Sequence, residues 1–406
     1  MATTVAERRD VPAELVHRWD PHNDPDAAAC PFLAGAKLKD APPVFFNPGE
    51  EDARARGLGG MWIVNGYELQ REVLLNAEVF SSYAITGFAT LLGEDWLMTP
   101  IELDQPEHTQ YRMLLNPLFS PARINDLEVG VRQQAVELIE KVRGNGGCEF
   151  MDAFGRPFPV GVFMRLMGLP LEETPLFLQW EEELLRGATI ADRAAAARAI
   201  KAYLLDLIAE RRARPTNDMV SFVVTSTIDG KPIPDDRVLG ICCLFYVGGL
   251  DTVAATLGFS FRELAIRPEL QQQLRSNPAL IPDAVEELIR AFGVVTTHRH
   301  LSRDYEFHGA RMKKGDLVAI TLGLASRDAA EYANPDVVDF RRENTRNISF
   351  SAGPHRCIGS HLARREIKIA LEEWMTRVPE FGLKPGDPPV AHSMGVWGVD
   401  HLPLVW

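Results

Sequence analysis

A charge-free segment in the second half of the chain constrains the fold more strongly than any other feature. Asp235 and Asp236 can begin a helix, and residues 238–250, which follow them, carry no charged side chain. The run is shorter than the roughly 18 residues that a helix needs to cross a bilayer. Because a helix that is apolar all round has to be buried, the segment predicts a helix through the core of a globular protein.

The end of this segment breaks several local rules. Gly248 and Gly249 are adjacent, and a glycine inside a helix costs roughly 1 kcal/mol relative to alanine. Asp251 follows, and a buried carboxylate is costly unless it is paired. Thr252 can donate a hydrogen bond to the carbonyl of Gly248, four residues earlier. A glycine packing patch with a chance acid is the ordinary explanation, but such violations are typical of functional sites.

A second unusual stretch lies near the C-terminus, around Cys357. Gly353 and Pro354 mark a turn, and after Gly359 the apolar residues recur at helical spacing. Cys357 is therefore expected just ahead of a helix N-terminus, where free N–H groups and the helix dipole favour a thiolate. Gly359 would let a flat ligand approach the backbone closely. A lone cysteine is more often a buried core residue, and that alternative stays open on these residues alone.

Composition limits the class of protein. The chain has 406 residues, of which 46% are hydrophobic, so it can bury a large core. No linker, repeat or low-complexity tract divides it, which predicts a single domain over residues 1–406. A formal net charge of −13 argues against non-specific nucleic-acid binding, and residues 1–20 contain no apolar signal-peptide core. Five scattered cysteines are typical of reduced thiols in a cytoplasmic protein: Cys30, Cys148, Cys242, Cys243 and Cys357.

Other segments complete the outline. Strand-like patterns occur near residues 61–66, 296–325 and 389–406, the last as a final hairpin, whereas residues 81–105 predict a mobile loop or a lid. His108 and Arg112 lie four apart on one helical face. Glu287 and Arg290 form an i,i+3 pair that would ordinarily contribute little.

The order of these motifs resembles the cytochrome P450 family. The pattern F-x-x-G-x-x-x-C-x-G, from Phe350 to Gly359, is similar to that family's haem-binding loop, and the likeness is greatest to the bacterial camphor-hydroxylase group. The resemblance implies a mainly α fold with small β-sheets (α+β), with haem b between a long central helix and a loop-helix that bears the cysteine. Cys357 would be the axial thiolate, which favours O–O cleavage.

The resemblance also implies roles for other residues. The segment from Gly248 to Thr252 resembles the oxygen-binding helix, in which Asp251 and Thr252 would deliver protons during catalysis. The predicted haem contacts are His108, Arg112, Arg299 and His355 at the propionates, together with Gly248, Phe350 and Gly359. The predicted structural ion-pair network consists of Glu287, Arg290 and Arg342.

The substrate pocket departs from the camphor-hydroxylase pattern. A tyrosine that donates a hydrogen bond to the camphor ketone is replaced by Trp96, an acidic position corresponds to Thr297, and an apolar one becomes Gly395. These differences predict a substrate other than camphor. The remaining pocket residues are expected to be apolar: Leu244, Val247, Val295 and Val396. We therefore expect a small hydrophobic substrate of terpenoid or norisoprenoid type.

The expected activity is hydroxylation with O₂ by a soluble, cytoplasmic and monomeric enzyme. The chain carries no flavin or iron–sulfur motif of its own. Electrons are therefore expected from a [2Fe–2S] ferredoxin and a separate NADH-dependent reductase. The other hypotheses are a peroxide-driven peroxygenase of the same fold, a non-catalytic haem-binding or sensor protein, and a helical protein without haem.

Overall fold

A computed structural model describes residues 11–48, 58–393 and 395–406 of the chain. Helices account for 53% of the structure, which confirms the mainly α class. Among the described residues the helices are α1 (Pro31–Ala36), α2 (Tyr67–Leu75), α3 (Phe88–Leu91), α4 (Glu107–Leu115), α5 (Pro121–Glu140), α6 (Pro157–Met167), α7 (Thr174–Arg186), α8 (Ile190–Ala213), α9 (Met219–Thr225), α10 (Asp235–Ile266), α11 (Pro268–Ser276), α12 (Ile281–Ala291), α13 (Leu322–Ala325) and α14 (Ser360–Arg377).

The strands are short and belong to several small sheets. In chain order they are β1 (Val44–Pro48), β2 (Gly60–Val64), β3 (Phe80–Ser81), β4 (Gly147–Glu149), β5 (Thr227–Ile228), β6 (Lys231–Pro232), β7 (Thr296–Leu301), β8 (Tyr305–Phe307), β9 (Ala310–Met312), β10 (Leu317–Thr321), β11 (Gly382–Leu383), β12 (Val390–His392), β13 (Gly398–His401) and β14 (Pro403–Val405). The predicted β-rich stretches near 61–66 and 296–325 are present.

The described residues group into two compact units. The first comprises those within 1–85, 286–357 and 390–400, and the second those within 86–285, 358–389 and 401–406. The first unit contains a five-stranded sheet in the order β1-β2-β10-β7-β3. Strand β10 runs parallel to β2 and antiparallel to β7. All five residues of β10 are buried, as expected for a central strand that is covered on both faces.

The second unit is built on α10. This helix extends without a break from Asp235 to Ile266, and most of its residues are buried. It is the one helix in the described ranges that is long and apolar enough to span a membrane, and 72% of its apolar window is buried inside the protein. The prediction of a core helix is therefore confirmed. An aromatic cluster, in which Phe261 stacks on Phe150 and meets the edge of Trp374, packs near the C-terminal end of α10.

The prediction of one terminal hairpin over residues 389–406 is only partly right. Strands β12 and β13 form a two-stranded sheet, as predicted. Strand β14, however, lies in another sheet, where it pairs with both β4 and β11. Because β4 is about 250 residues earlier in the chain, local sequence patterns carry no signal for that pairing.

Candidate active site

An open stripe interrupts the buried surface of α10. Leu244, Val247 and Thr252 are half-buried and Gly248 is exposed, although the residues around them are mostly buried. These positions recur every three to four residues, so they lie on one face of the helix. A Cβ atom at Gly248 would meet no described atom within 4 Å, whereas one at Gly249 would lie 3.1 Å from the ring of Phe163. Gly249 therefore allows the helix to pack closely against Phe163, whereas Gly248 lies on the open face.

Thr252 makes the hydrogen bond that the sequence predicts. Its hydroxyl donates to the Gly248 carbonyl at 3.2 Å. Two further hydroxyls continue the pattern: Thr256 donates to the carbonyl of Thr252 at 2.9 Å, and Ser260 donates to that of Thr256 at 2.7 Å. With its proton directed at the helix, the Thr252 oxygen presents its lone pairs as acceptors.

Asp251 is buried and contacts an arginine that no sequence motif indicates. The Arg186 guanidinium, at the end of α7, lies 3.4 Å from the Asp251 carboxylate and 3.2 Å from that of Glu182. Glu181, also on α7, is a second buried carboxyl near this pair. Helical periodicity could have identified Glu181, because Phe177, Glu181 and Leu184 define the buried face of α7.

The loop around Cys357 is shaped by one glycine. Gly353 has φ of +67°, and a Cβ atom there would lie 2.5 Å from the carbonyl oxygen of Leu74, so a side chain is excluded on both counts. The backbone N–H of Cys357 donates to the Phe350 carbonyl at 2.8 Å. Helix α14 begins at Ser360, with Gly359 as its N-cap. The predicted loop-to-helix geometry is present.

The thiol of Cys357 differs from the other thiols in its environment. Cys357 is exposed, whereas Cys30, Cys242 and Cys243 are buried. Burial raises the pKa of Cys242 to about 12, and it raises that of the Cys148 thiol to about 12 as well. Those two thiols therefore remain protonated at neutral pH. The exposed sulfur ahead of a helix fits the axial ligand that a haem requires, and the open apolar stripe of α10 fits a flat group.

The predicted propionate contacts are two arginines and two histidines, and most of them are at least partly buried. His108 and Arg112 both lie on α4, with His108 only 2% exposed. Arg299 is buried on β7 and donates to the carbonyl of His298 at 2.6 Å and to the hydroxyl of Thr297 at 3.1 Å. His355 ends a short 3-10 turn and is half-buried. These side chains supply the donors that buried carboxylates need.

The predicted pocket residues fall into two groups. In the first unit Val295 and Val396 form a β-bridge, and Gly395 is exposed, with φ of +59° and open space at its Cβ position among the described residues. In the second unit Leu244 and Val247 belong to the α10 stripe. Trp96 lies within residues 81–105, where the structure has the single short helix α3 among its described helices.

The indole of Trp96 is engaged within the protein. Its N–H donates to a carboxylate oxygen of Glu94 at 2.5 Å. Lys201, on α8, holds both oxygens of the same carboxylate at 2.5 and 2.6 Å. The indole proton is therefore committed to Glu94, which agrees with the expectation that Trp96 does not take over the role of the ketone-binding tyrosine of the camphor hydroxylase.

The residues of the predicted ion-pair network are in contact. Glu287 is fully buried and accepts from Arg290 at 2.7 and 2.9 Å and from Arg342 at 3.0 and 3.1 Å. The backbone N–H of Asp339 donates to it at 3.0 Å. Arg290 donates in turn to the carbonyls of Ser326 and Pro335. This pair is thus buried and not an exposed surface pair.

Comparison with known proteins finds relatives along nearly the whole chain. The sequence profile described as Cytochrome P450 matches residues 182–378. A probable cytochrome P450 127A1 of Sinorhizobium fredii is 39% identical over 388 residues, which cover 95% of this chain and 91% of that protein. A steroid C26-monooxygenase of Mycobacterium tuberculosis is 30% identical, with 75% of this chain and 85% of that protein covered.

Solved structures give the same result for the fold. The crystal structure of cytochrome P450 CYP101C1 superposes with a TM-score of 0.87 and 32% identity, covering 98% of each chain. That of CYP101J2 superposes with a TM-score of 0.88 and 32% identity, covering 99% of each.

Proposed function

Because this chain belongs to the cytochrome P450 family, we propose that it hydroxylates a small hydrophobic molecule of terpenoid or norisoprenoid type with electrons from a [2Fe–2S] ferredoxin. The family membership, the fold and the monooxygenase class are shown by the comparisons. The family uses haem b with a cysteine thiolate and O₂. The observation that best supports the proposal is the open stripe on α10, with Gly248 exposed and Thr252 beside the buried Asp251.

The residues proposed to hold the haem are those that the family resemblance indicates. Cys357 would hold the iron, and Phe350 and Gly359 would border the ring. His108, Arg112, Arg299 and His355 would hold the propionates through charge-assisted hydrogen bonds. When bound, a haem with thiolate ligation supplies the capacity to cleave the O–O bond.

Cys357 can be tested by spectroscopy. The reduced, CO-bound protein should show the red-shifted absorption band of thiolate ligation, and the Cys357→Ala variant should lack it. Cys148→Ala is a matched control, because Cys148 is partly buried and belongs to β4. A normal thiolate band in the Cys357→Ala variant would exclude Cys357 as the ligand.

Asp251 and Thr252 are proposed to handle protons. The Thr252 oxygen can accept a hydrogen bond from water, since its own proton is directed at Gly248. Asp251 can take up and release protons beside it. Thr252→Ala should therefore keep NADH consumption but divert it to hydrogen peroxide. Thr256→Ala is the control, because Thr256 makes the same bond one turn later, and it should keep the yield of product per NADH. Equal yields in wild type and Thr252→Ala would contradict the relay.

The proposed substrate class follows from the residues that the family resemblance assigns to the substrate pocket. Leu244, Val247, Val295 and Val396 are apolar, and the Trp96 N–H is held by Glu94. A hydrocarbon such as limonene should therefore shift the haem spin state at least as strongly as camphor, a ketone of similar size. A panel in which only polar compounds produce the shift would overturn the proposed class.

The electron donor and the cellular location belong to the same proposal. By resemblance to the camphor hydroxylase, Arg112 and Arg364 correspond to basic residues on the surface that a ferredoxin binds, whereas Thr109 and Asn344 stand where that enzyme has further basic residues. Ferredoxin-dependent turnover should fall with salt, since screening weakens such contacts. We propose a cytoplasmic monomer. Turnover with peroxide alone at the rate of the ferredoxin-driven reaction would favour the peroxygenase alternative.

A further inference from the structure

The buried face of α7 carries a carboxyl group that the proposed mechanism does not use. Phe177, Glu181 and Leu184 form this face, and Glu181 is only 3% exposed. Within the part of the chain that the structure describes, neither of its carboxyl oxygens has a hydrogen-bond partner. Glutamate is rarely buried without a partner, and an ionised carboxylate in such a place is strongly destabilising. A buried acid of this kind is typical of functional sites, where local rules of stability are broken.

The helix that carries Glu181 packs against the part of α10 that contains Asp251. The hydroxyl of Tyr246, on α10, donates to the carbonyl of Phe177 at 3.3 Å, which fixes α10 against α7 one turn before Glu181. Arg186, at the end of α7, contacts Asp251 at 3.4 Å. Four charged groups influence the pKa of Glu181: Asp251 on α10, Arg186 and Glu182 on α7, and Arg156 just before α6. Glu181 in turn raises the pKa of Tyr246.

Electrostatics favour a neutral Glu181 at pH 7. Burial, followed by the negative charge of Asp251, raises the pKa of Glu181 to about 8, against smaller lowering effects of Arg186 and Arg156. The protonated fraction then falls from roughly nine tenths at pH 7 to roughly one tenth at pH 9. In the neutral form Glu181 leaves the guanidinium of Arg186 to Asp251 and Glu182, but in the ionised form a third carboxylate competes for it.

We propose that Glu181 is a positioning residue that controls Asp251, and that its protonation keeps the Asp251–Arg186 pair in the arrangement used for proton delivery. This inference rests on the proposed function and adds a residue to it. Loss of the Glu181 proton draws Arg186 away from Asp251 and repels the Asp251 carboxylate. Proton delivery then becomes less efficient, so a larger share of NADH should yield peroxide at alkaline pH.

The first measurement is the pH profile of the ratio of product to NADH, with limonene as the probe. In wild type this ratio should fall several-fold between pH 7 and pH 9, with a midpoint near the pKa of Glu181, and Glu181→Gln should remove the fall. Glu183→Gln is the matched control, because Glu183 lies on the same helix and accepts from Gln179 instead. It should keep the wild-type profile. An unchanged profile in Glu181→Gln would overturn the proposal.

The second measurement needs neither turnover nor a substrate. Infrared titration of the resting holoenzyme should show the carbonyl stretch of a protonated carboxylic acid, which disappears near pH 8 together with a shift in the carboxylate bands of Asp251. Glu181→Gln should lack the first change and Asp251→Asn the second. Absence of this band from the wild-type protein would overturn the proposal even if Glu181→Gln did not fold. Failure to turn over limonene, with the band present, would count against the proposed substrate class only.

Discussion

Two buried carboxylates, Glu287 and Glu181, both lie near arginines, but only Glu287 has hydrogen-bond partners among the described residues. Glu287 accepts from two guanidinium groups and one backbone N–H. Glu181 has no hydrogen-bond partner among the described residues, and the nearby Arg186 contacts Asp251 and Glu182 instead. A fully paired buried charge holds segments together, because every departure from its geometry is penalised. A buried acid without a partner costs stability and can change its charge near neutral pH.

The buried charges of the Glu287 network hold segments of the chain together, whereas the buried Glu181 is proposed to act on proton delivery. Glu287, Arg290 and Arg342 join α12 to the segment after α13, and the guanidinium of Arg290 also holds three backbone carbonyls. Asp251 belongs to α10 and Glu181 to α7, and Arg186 at the end of α7 contacts Asp251. A structural ion pair can stay charged at every pH at which the protein is folded. A group that regulates proton delivery, by contrast, requires a pKa close to the working pH.

Removing Glu287 should have the largest effect. Glu287→Ala leaves Arg290 and Arg342 buried without their carboxylate, and breaking such a network by deleting one partner costs about 3–5 kcal/mol. Denaturant unfolding should show this loss. Glu306→Gln is the control, because its partner Arg311 is 3.9 Å away and both side chains are largely exposed, so the loss should be below about 0.5 kcal/mol. A loss of similar size in both variants would show that Glu287 is not a structural centre.

Glu181→Gln should change stability in the opposite direction, and in a way that depends on pH. The folded state raises the pKa of Glu181 from 4.5 to about 8, so between these values the folded protein binds more protons than the unfolded chain. Its free energy of unfolding therefore falls as pH rises through this window. Each unit of pKa difference corresponds to about 1.4 kcal/mol, so the free energy of unfolding can fall by a few kcal/mol across this pH range.

Measured by denaturant unfolding at pH 5 and pH 8, the stability of Glu181→Gln relative to wild type should increase with pH. Glu183→Gln should show no such trend. A constant difference between Glu181→Gln and wild type at the two pH values would mean that Glu181 is not a raised-pKa group, and the comparison with Glu287 would lose its basis.

Arg186→Gln should move the titration of Glu181 by a smaller amount. Arg186 lowers the pKa of Glu181 by its positive charge, so its removal should raise that pKa further and shift the infrared midpoint to higher pH. Arg165→Gln offers a control on α6, where the arginine donates to Gln134. An unshifted midpoint in Arg186→Gln would place Arg186 outside the electrostatic environment of Glu181.

The Glu287 ion-pair network is easier to predict from the sequence than the environment of Glu181. Glu287 and Arg290 are one helical turn apart, so their pairing is a local pattern, but Arg342 enters only through the family resemblance because no local rule connects it to α12. Glu181 was missed although the apolar spacing of Phe177 and Leu184 places it on the buried face of α7. Whether a residue on such a face finds a partner depends on what another helix brings to it, and that is a tertiary property.

Tertiary contacts also limit what the sequence predicts for α10 and for Trp96. The apolar character of α10 and the bond from Thr252 to Gly248 follow from spacing alone, and both are observed. The engagement of Trp96 depends on Lys201, which is about 100 residues away in the chain and fixes Glu94 from α8. An indole N–H that looks available in the sequence is thereby committed within the protein.

Glu94→Gln should have the smallest effect, and it tests whether the Trp96 indole N–H is committed within the protein. Lys201 and Trp96 both hold the carboxylate of Glu94, and their hydrogen bonds lower its pKa. Since these side chains are partly exposed, the stability loss should be below about 1 kcal/mol. Weakening the acceptor should free the indole N–H for a ketone, so that binding of camphor improves relative to limonene by roughly three- to tenfold.

Lys201→Met is the matched control for this prediction. It removes the ion pair but leaves Glu94 to accept from Trp96, so the preference between camphor and limonene should stay that of wild type. Spin-state titrations of the three proteins with both ligands give the comparison. If Lys201→Met and Glu94→Gln change the preference equally, the ion pair and not the commitment of the indole proton determines which substrate is favoured.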